Sequence, residues 1–101
     1  MILTTRVFTR PSTSVQWWNE HNPTASADFY NRLLHDFIDT HKIVLRTVTP
    51  TDLTITVVIA WVDQASADTH YNDSQNIAYF KQRDDYNKSV GITDTFTSVT
   101  K

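Results

Sequence analysis

The fold is decided by one stretch in the middle of the chain, Leu53-Thr-Ile-Thr-Val-Val-Ile-Ala-Trp61-Val-Asp63. Every second residue from Leu53 to Trp61 is large and apolar, which is the period-two pattern of a β-strand. The alternate side chains begin with two threonines and become apolar from Val58 onwards. A strand that is apolar on both faces needs cover on both, because exposed apolar surface costs about 25 cal/mol per Å². Helices can cover one face, and either loops or a second copy of the sheet must cover the other. The pattern is a first indication of a homodimer.

The composition is that of one ordinary globular domain, which we expect to span residues 1–101. Nine basic and eleven acidic residues give a formal net charge of -2, and this balance argues against a nucleic-acid partner, which needs a clustered basic surface. The absence of cysteine excludes disulfides, thiol chemistry and thiolate metal sites. A single glycine excludes a glycine-rich phosphate loop.

Targeting and membrane signals are not recognisable in the sequence. The first residues lack the charged head and apolar run of a signal peptide. No apolar run approaches the roughly 20 residues that a membrane helix needs. We therefore expect a cytoplasmic protein that has no membrane partner.

Two segments have helical periodicity. The first begins at Asn22-Pro23, where asparagine is a good N-cap and proline suits the first helical position, and its apolar stripe extends to Ile38. The second follows Asp63, which we expect to cap it, and extends to Val90. We expect a break in the second helix where three consecutive side chains compete for backbone hydrogen bonds: Asn72, Asp73 and Ser74.

Three further segments alternate as strands do, and they complete the fold: residues 2–10, 42–49 and 92–99. The short turn at Pro50-Thr51-Asp52 predicts an antiparallel hairpin between the second and third strands. The order β-α-β-β-α-β is typical of the ferredoxin-like α+β fold, a four-stranded antiparallel sheet with both helices on one face. Two such sheets packed on their open faces would form a dimeric α/β barrel.

The end of the core strand and the start of the next helix carry a family resemblance. The residues concerned are Ile59-Ala-Trp61-Val-Asp63, followed by Ala65, Ala67, His70 and Ser74. A strand that ends in an aromatic residue, a short polar cap and a helix with a histidine resemble the antibiotic-biosynthesis-monooxygenase-like dimeric α/β-barrel superfamily. The resemblance implies a homodimer with a pocket between each sheet and its helices. Members of this superfamily include cofactor-free oxygenases of polycyclic aromatic phenols, haem-degrading enzymes, isomerases, dismutases and domains without known activity.

The chain departs from the haem-degrading members of that superfamily. Those members place an asparagine on the first strand, where this chain has Thr4, Thr5 and Arg6. They also carry a tryptophan at about the position of His70 and a haem-ligating histidine at about Phe80. We therefore expect neither haem nor another cofactor.

The candidate catalytic residues are His70 and Arg6. An imidazole titrates near neutral pH, so His70 could transfer protons; the alternative is a partly exposed helix residue with local hydrogen bonds. If Arg6 points into the open side of the sheet, it could bind an anionic or enolate-like ligand, and otherwise it is a surface charge. Arg46, on the second strand, could likewise point inward and bind an anionic ligand, or point outward as a surface charge.

Three aromatic residues are further candidates for binding a ligand. Trp61 could form the wall of an aromatic pocket or lie in the core, and Tyr71 and Tyr79 could offer hydroxyl groups to a ligand or pack with their tips in water. The spacing of the histidines and aspartates supplies no complete set of metal ligands, so we expect no metal site.

Two functions are consistent with these patterns. The first is a small-molecule enzyme or binding protein, similar to a cofactor-free monooxygenase or isomerase, whose pocket contains His70 and Arg6. The second is a non-catalytic dimerisation or regulatory domain, whose apolar sheet face serves self-association. The first requires a partly apolar cavity beside those two side chains, and the second requires a tightly filled interior.

Overall fold

A computed structural model describes the full chain, residues 1–101. The protein is built on one four-stranded antiparallel sheet. The elements in chain order are β1 Ile2–Thr9, α1 Trp18–His21, α2 Pro23–Leu33, β2 Ile43–Pro50, β3 Thr54–Trp61, α3 Gln64–Asn72, α4 Ser74–Val90 and β4 Thr93–Thr100. The strand order is β2-β3-β1-β4, with β2 and β4 at the edges. The ferredoxin-like arrangement predicted from the sequence is confirmed.

The core lies between one face of this sheet and the helices. Trp61 at the end of β3 is fully buried and stands in register with Ile2 of β1 and Ile43 of β2. Its indole Nε1 donates a hydrogen bond to Thr4 Oγ1 at 3.2 Å. The buried apolar cluster at this end of the sheet consists of Ile2, Leu33, Phe37, Ile43, Ile59, Trp61 and Ala67.

Helix α2 begins as the sequence predicts, but it ends differently. The Asn22 side chain accepts a hydrogen bond from the Ala25 backbone N–H at 3.1 Å, and Pro23 is the first helical residue. From Leu34 to Ile38 the helix continues as a π-helical turn. Such turns insert one extra residue into a helix and are frequent at functional sites. Here the turn lies at the end of α2 that carries the buried Phe37.

Helices α3 and α4 are two segments separated by the predicted break. The carboxylate of Asp63 accepts a hydrogen bond from the Ser66 N–H at 2.8 Å and caps α3. Asp73 caps α4 in the same way, accepting from the backbone N–H groups of Gln75 and Asn76. Gly91 ends α4 in the left-handed conformation, with φ of 81°, which glycine adopts without steric cost.

The second face of the sheet has no helix over it. Along this face, the in-register row of Leu3, Leu45, Ala60 and Val99 is apolar. The side chains of Leu45 and Val99 are 55% and 47% exposed. The rows beyond it are rich in threonine, whose β-branched side chains suit strands. None of the helices is long and apolar enough to cross a membrane.

The hydrogen bond between Trp61 and Thr4 gives a test of the core. Thr4→Val keeps the shape but leaves the buried indole N–H without an acceptor, so we expect a loss of about 1–3 kcal/mol in the free energy of unfolding. Thr24→Val on the exposed first turn of α2 is the matched control, with an expected change below about 0.5 kcal/mol. Urea unfolding monitored by tryptophan fluorescence measures both, and equal effects would contradict this role of Thr4.

Candidate functional site

A cavity of about 490 Å³ lies between the sheet and the helices. Its floor includes Val48, Ile55, Val57 and Ile59, which follow the apolar end of the core along the strands. Its walls are mainly aromatic, from Phe8, Trp17, Trp18, Phe29, Tyr30, Tyr71, Tyr79, Phe80 and Phe96. This volume and lining are typical of small-molecule sites, which combine apolar walls with a few placed polar groups.

His70 lies at the boundary between the filled core and this cavity. The residue is 2% exposed, and its ring is surrounded by aromatic rings. The centroids of Tyr71, Trp61 and Phe37 lie 4.8, 5.0 and 5.1 Å from the imidazole centroid. The alternative of a partly exposed helix residue therefore does not describe His70.

Asn76 sets the position of the ring hydrogen on His70. Arg32 donates from Nε and Nη2 to the Asn76 Oδ1, at 3.4 and 3.2 Å. A guanidinium can only donate, so the amide oxygen of Asn76 faces Arg32 and its amide nitrogen faces His70. That nitrogen donates to the His70 carbonyl at 3.0 Å and lies 3.3 Å from Nδ1. Nδ1 is therefore an acceptor, and the hydrogen of the neutral ring is on Nε2.

The surroundings of His70 keep it uncharged at neutral pH. Burial and the nearby charges together lower the pKa of His70 from 6.5 to about 4, and burial is the largest cause. The charges of Arg32, Arg46 and Arg83 also contribute to the lowering, whereas the charge of Asp73 opposes it. A neutral imidazole with its lone pair occupied by Asn76 acts as a hydrogen-bond donor through Nε2, as an electrophile rather than a base.

The cavity is also lined by three arginines and by no aspartate or glutamate. Arg6 lies 3.2 Å from Asp94 and 4.6 Å from the Phe96 ring centroid. Arg83 reaches over the rings of Phe8 and Phe80, at 5.2 and 5.0 Å. The cavity is therefore apolar in its walls and positive in its charge.

Arg46 differs from the other two arginines in its contacts. Its guanidinium lies 5.4 Å from the centroid of the Tyr30 ring, and burial lowers its pKa. Two buried side-chain atoms of the whole chain have no hydrogen-bond partner in it, Arg46 Nε and Asn87 Oδ1. Both residues line the cavity. An unpaired buried polar group costs about 1–3 kcal/mol, so both atoms call for partners from a bound molecule or solvent.

The structure brings together most of the residues selected from the sequence. His70, Arg6, Arg46, Tyr71 and Tyr79 all line the one cavity. Trp61 is not part of its lining: the indole lies in the core under His70, with its N–H bonded to Thr4. Trp61 thus supports the site without reaching its interior.

Sequence reasoning did not select Arg83, which lines the cavity, or Asn76, which contacts His70. They lie seven residues apart on α4, on the same face as Phe80 and Asn87. The signal in the sequence of α4 that could have identified them is the repetition of polar residues on a helix face that also carries aromatic residues. Periodicity of apolar residues alone assigns such polar residues to the solvent side.

No protein-family model matches this sequence, and no curated protein matches it either. Solved structures do match it. SnoaB, a cofactor-independent oxygenase from Streptomyces nogalater, has a TM-score of 0.61 at 12% identity over 99% of this chain and 91% of its own. A candidate antibiotic biosynthesis monooxygenase from Caulobacter crescentus has a TM-score of 0.66 at 5% identity, covering 97% and 87%. One from Deinococcus radiodurans has a TM-score of 0.57 at 14% identity, covering 100% and 92%.

These similarities define the class to which the fold belongs. The chain has the fold of the antibiotic biosynthesis monooxygenases, as the resemblance at Trp61 and His70 predicted. At such low identities the similarity establishes the fold, and the activity has to be argued from the residues of the cavity.

The low pKa of His70 predicts a specific dependence of stability on pH. Between pH 6.5 and pH 4 the unfolded chain binds a proton at His70 that the folded chain does not. The free energy of unfolding therefore falls as the pH falls through this range, by about 2–3 kcal/mol at pH 4.5 from this residue. The variant His70→Gln has no group that titrates at this position. Its free energy of unfolding, measured with urea, should therefore fall less between pH 7 and pH 4.5 than that of the wild type. Parallel pH profiles would contradict the lowered pKa.

Proposed function

We propose that the chain binds a small aromatic or anionic molecule in this cavity and transforms it without a cofactor, as a monooxygenase or an isomerase. The observation that carries the proposal is an aromatic cavity into which arginines project without carboxylates in its lining. Such a site favours a molecule that is flat and apolar and that carries or develops negative charge.

The two reaction types share an intermediate that this cavity suits. An isomerisation that moves a proton next to a carbonyl group passes through an enolate, and a cofactor-free oxygenation of a phenol passes through the corresponding phenolate. Both place negative charge on an oxygen and release a proton, which in our proposal passes to solvent water because the lining contains no carboxylate to accept it. In our proposal the Nε2–H of His70 donates to that oxygen while Arg6 and Arg46 supply positive charge around it. Preorganised donors in a largely apolar site stabilise such charge strongly.

This proposal changes the role expected for His70. Transfer of a proton by the imidazole would need a pKa near neutrality and a free nitrogen lone pair. The low pKa of His70 and the contact of Nδ1 with Asn76 both support donation of a hydrogen bond instead. Tyr71 and Tyr79 complete the polar part of the wall. Tyr79 accepts a hydrogen bond from Trp18 Nε1 at 2.9 Å, which leaves its own hydroxyl hydrogen for a ligand.

Anthrone provides one assay for both reactions, because it is an aromatic ketone that enolises to a phenol. Exchange of its methylene hydrogens in D2O, followed by NMR, reports enolisation, and uptake of oxygen in the presence of a chelator reports oxygenation. We expect rates above those of the protein-free solution. His70→Phe removes the donor and should lower the rate about 100-fold, the typical cost of one oxyanion donor.

The matched control is His35→Phe, at an exposed position of the α2 extension, which should leave the rate unchanged. Binding of anthrone without exchange or oxygen uptake would reduce the proposal to a binding protein. Neither binding nor turnover would contradict it and favour the non-catalytic alternative.

We propose further that the protein is a homodimer through the open face of the sheet. Leu45 and Val99, which are exposed at the two ends of the apolar row on that face, support this, because burying apolar surface against a second copy is favourable. The sheet of a second copy offers the same row of apolar and threonine side chains, as an isologous interface requires.

A single charge in that row tests the dimer. Leu45→Glu places a carboxylate where two copies would meet, so light scattering at micromolar concentration should change from twice the chain mass to one chain mass. Ile77→Glu on α4 is the control, since Ile77 is 51% exposed and Leu45 is 55% exposed. A wild-type chain that is already monomeric would contradict the proposed dimer.

A further inference from the structure

We infer that Arg46 is the binding group for a carboxylate, so that the ligand of the cavity is an aromatic carboxylic acid. This inference rests on the proposed function, because it specifies the ligand of the same cavity. Its basis is the difference between Arg46 and the other arginines in that wall.

Two of the three cavity arginines already have an acidic partner in the chain. Arg6 Nη1 lies 3.2 Å from Asp94 Oδ2, and Arg83 Nε lies 3.1 Å from Asp84 Oδ1. Each of these cations therefore has a carboxylate partner before any ligand arrives. No ion pair in the chain involves Arg46. The uncompensated positive charge of the cavity is therefore at Arg46.

In the free protein, Arg46 has neither an acceptor for its buried Nε–H nor a carboxylate partner that would offset its burial. Its Nε is buried and donates to no acceptor in the chain, and its guanidinium lies against the ring of Tyr30. Desolvation of an unpaired cation disfavours the folded state, and burial lowers its pKa accordingly. An anion bound in the cavity would supply the missing acceptor and the missing charge together.

The surroundings of Arg46 favour a carboxylate over other anions. The guanidinium presents parallel N–H groups in a planar fork that matches the two oxygens of a carboxylate. A carboxylate carries one charge, which equals the one uncompensated charge, whereas a phosphate monoester carries about two. Tyr79 lines the same cavity and accepts a hydrogen bond from Trp18 Nε1, so its own hydroxyl hydrogen provides one more donor.

The remainder of the ligand is set by the aromatic wall. Phe29 stacks on Tyr79, with centroids 4.2 Å apart and an interplanar angle of 2°, and both line the cavity. Flat rings bind such surfaces by stacking and by edge contacts. A fused aromatic carboxylic acid would pair with Arg46 through its carboxylate and stack on these rings through its own ring system.

The test uses two probes that share one ring system, 2-naphthoate and 2-naphthol, titrated at pH 7 and followed by isothermal titration calorimetry. The first is an anion and the second is neutral at this pH. We expect the wild-type protein to bind 2-naphthoate at least about 10-fold more tightly, the usual range for a charge-assisted hydrogen bond being about 10- to 100-fold. This comparison needs no variant.

Two matched variants then locate the carboxylate. Arg46→Met keeps the aliphatic stem and should weaken 2-naphthoate about 10- to 100-fold while changing 2-naphthol less than about threefold. Arg6→Met should weaken 2-naphthoate less, because Asp94 already compensates Arg6. An equal or larger loss in Arg6→Met would overturn the assignment to Arg46.

The failures of the inference and of the proposed function are distinguishable. If 2-naphthol binds as well as 2-naphthoate, the cavity is a ligand site but the inferred carboxylate is wrong. If neither probe binds, the proposed function fails as well. The ligand-free melting temperature is an independent measurement: Arg46→Met should melt a few degrees higher than the wild type, because it removes a partly buried cation that has no carboxylate partner. A lower melting temperature would show that Arg46 stabilises the fold itself and would overturn the inference.

Discussion

The structure depends on one buried hydrogen bond, from the indole of Trp61 to the hydroxyl of Thr4. Trp61 is the largest fully buried side chain, and its N–H requires an acceptor that only a polar group on a neighbouring strand can supply. The bond joins β3 to β1 and is compatible with a single register, since a slip of one residue would turn Thr4 to the opposite face. It therefore fixes the two central strands, and the helices pack on what those strands present.

The size of Trp61 also explains why the interior is filled at one end and open at the other. Around Trp61 the sheet carries Ile2 and Ile43, and Phe37 and Leu33 descend from α2 to complete a dense cluster. Further along β3 the inward side chains are the smaller Ile59, Val57 and Ile55. Rings on α2 and α4 such as Phe29 and Tyr79 stack on each other and not on the sheet. The space between them and the strands remains as the cavity.

The sequence predicts the elements more completely than the site, and the reason is the range of the interactions involved. Alternation in β3 and the caps at Asp63 and Asp73 are local properties, and each was recognisable from neighbouring residues. The direction of Arg6 was not, because both faces of β1 mix apolar and polar residues. The contact of Asn76 with His70 and Arg32 depends on how α4 packs against α2, which sequence spacing does not contain. The π-helical turn at the end of α2 likewise has no recognisable local signal.

The same charges that make the cavity attractive to an anion also determine what His70 can do there. Arg32 holds the Asn76 amide by its oxygen, and this orientation places an N–H group against Nδ1. The positive charges nearby and the surrounding rings then oppose protonation of the imidazole. A histidine in an acidic pocket would be charged and could exchange protons with solvent. In this positive and apolar one it stays neutral with its hydrogen on Nε2, so the role that we propose for it is that of a hydrogen-bond donor rather than a base.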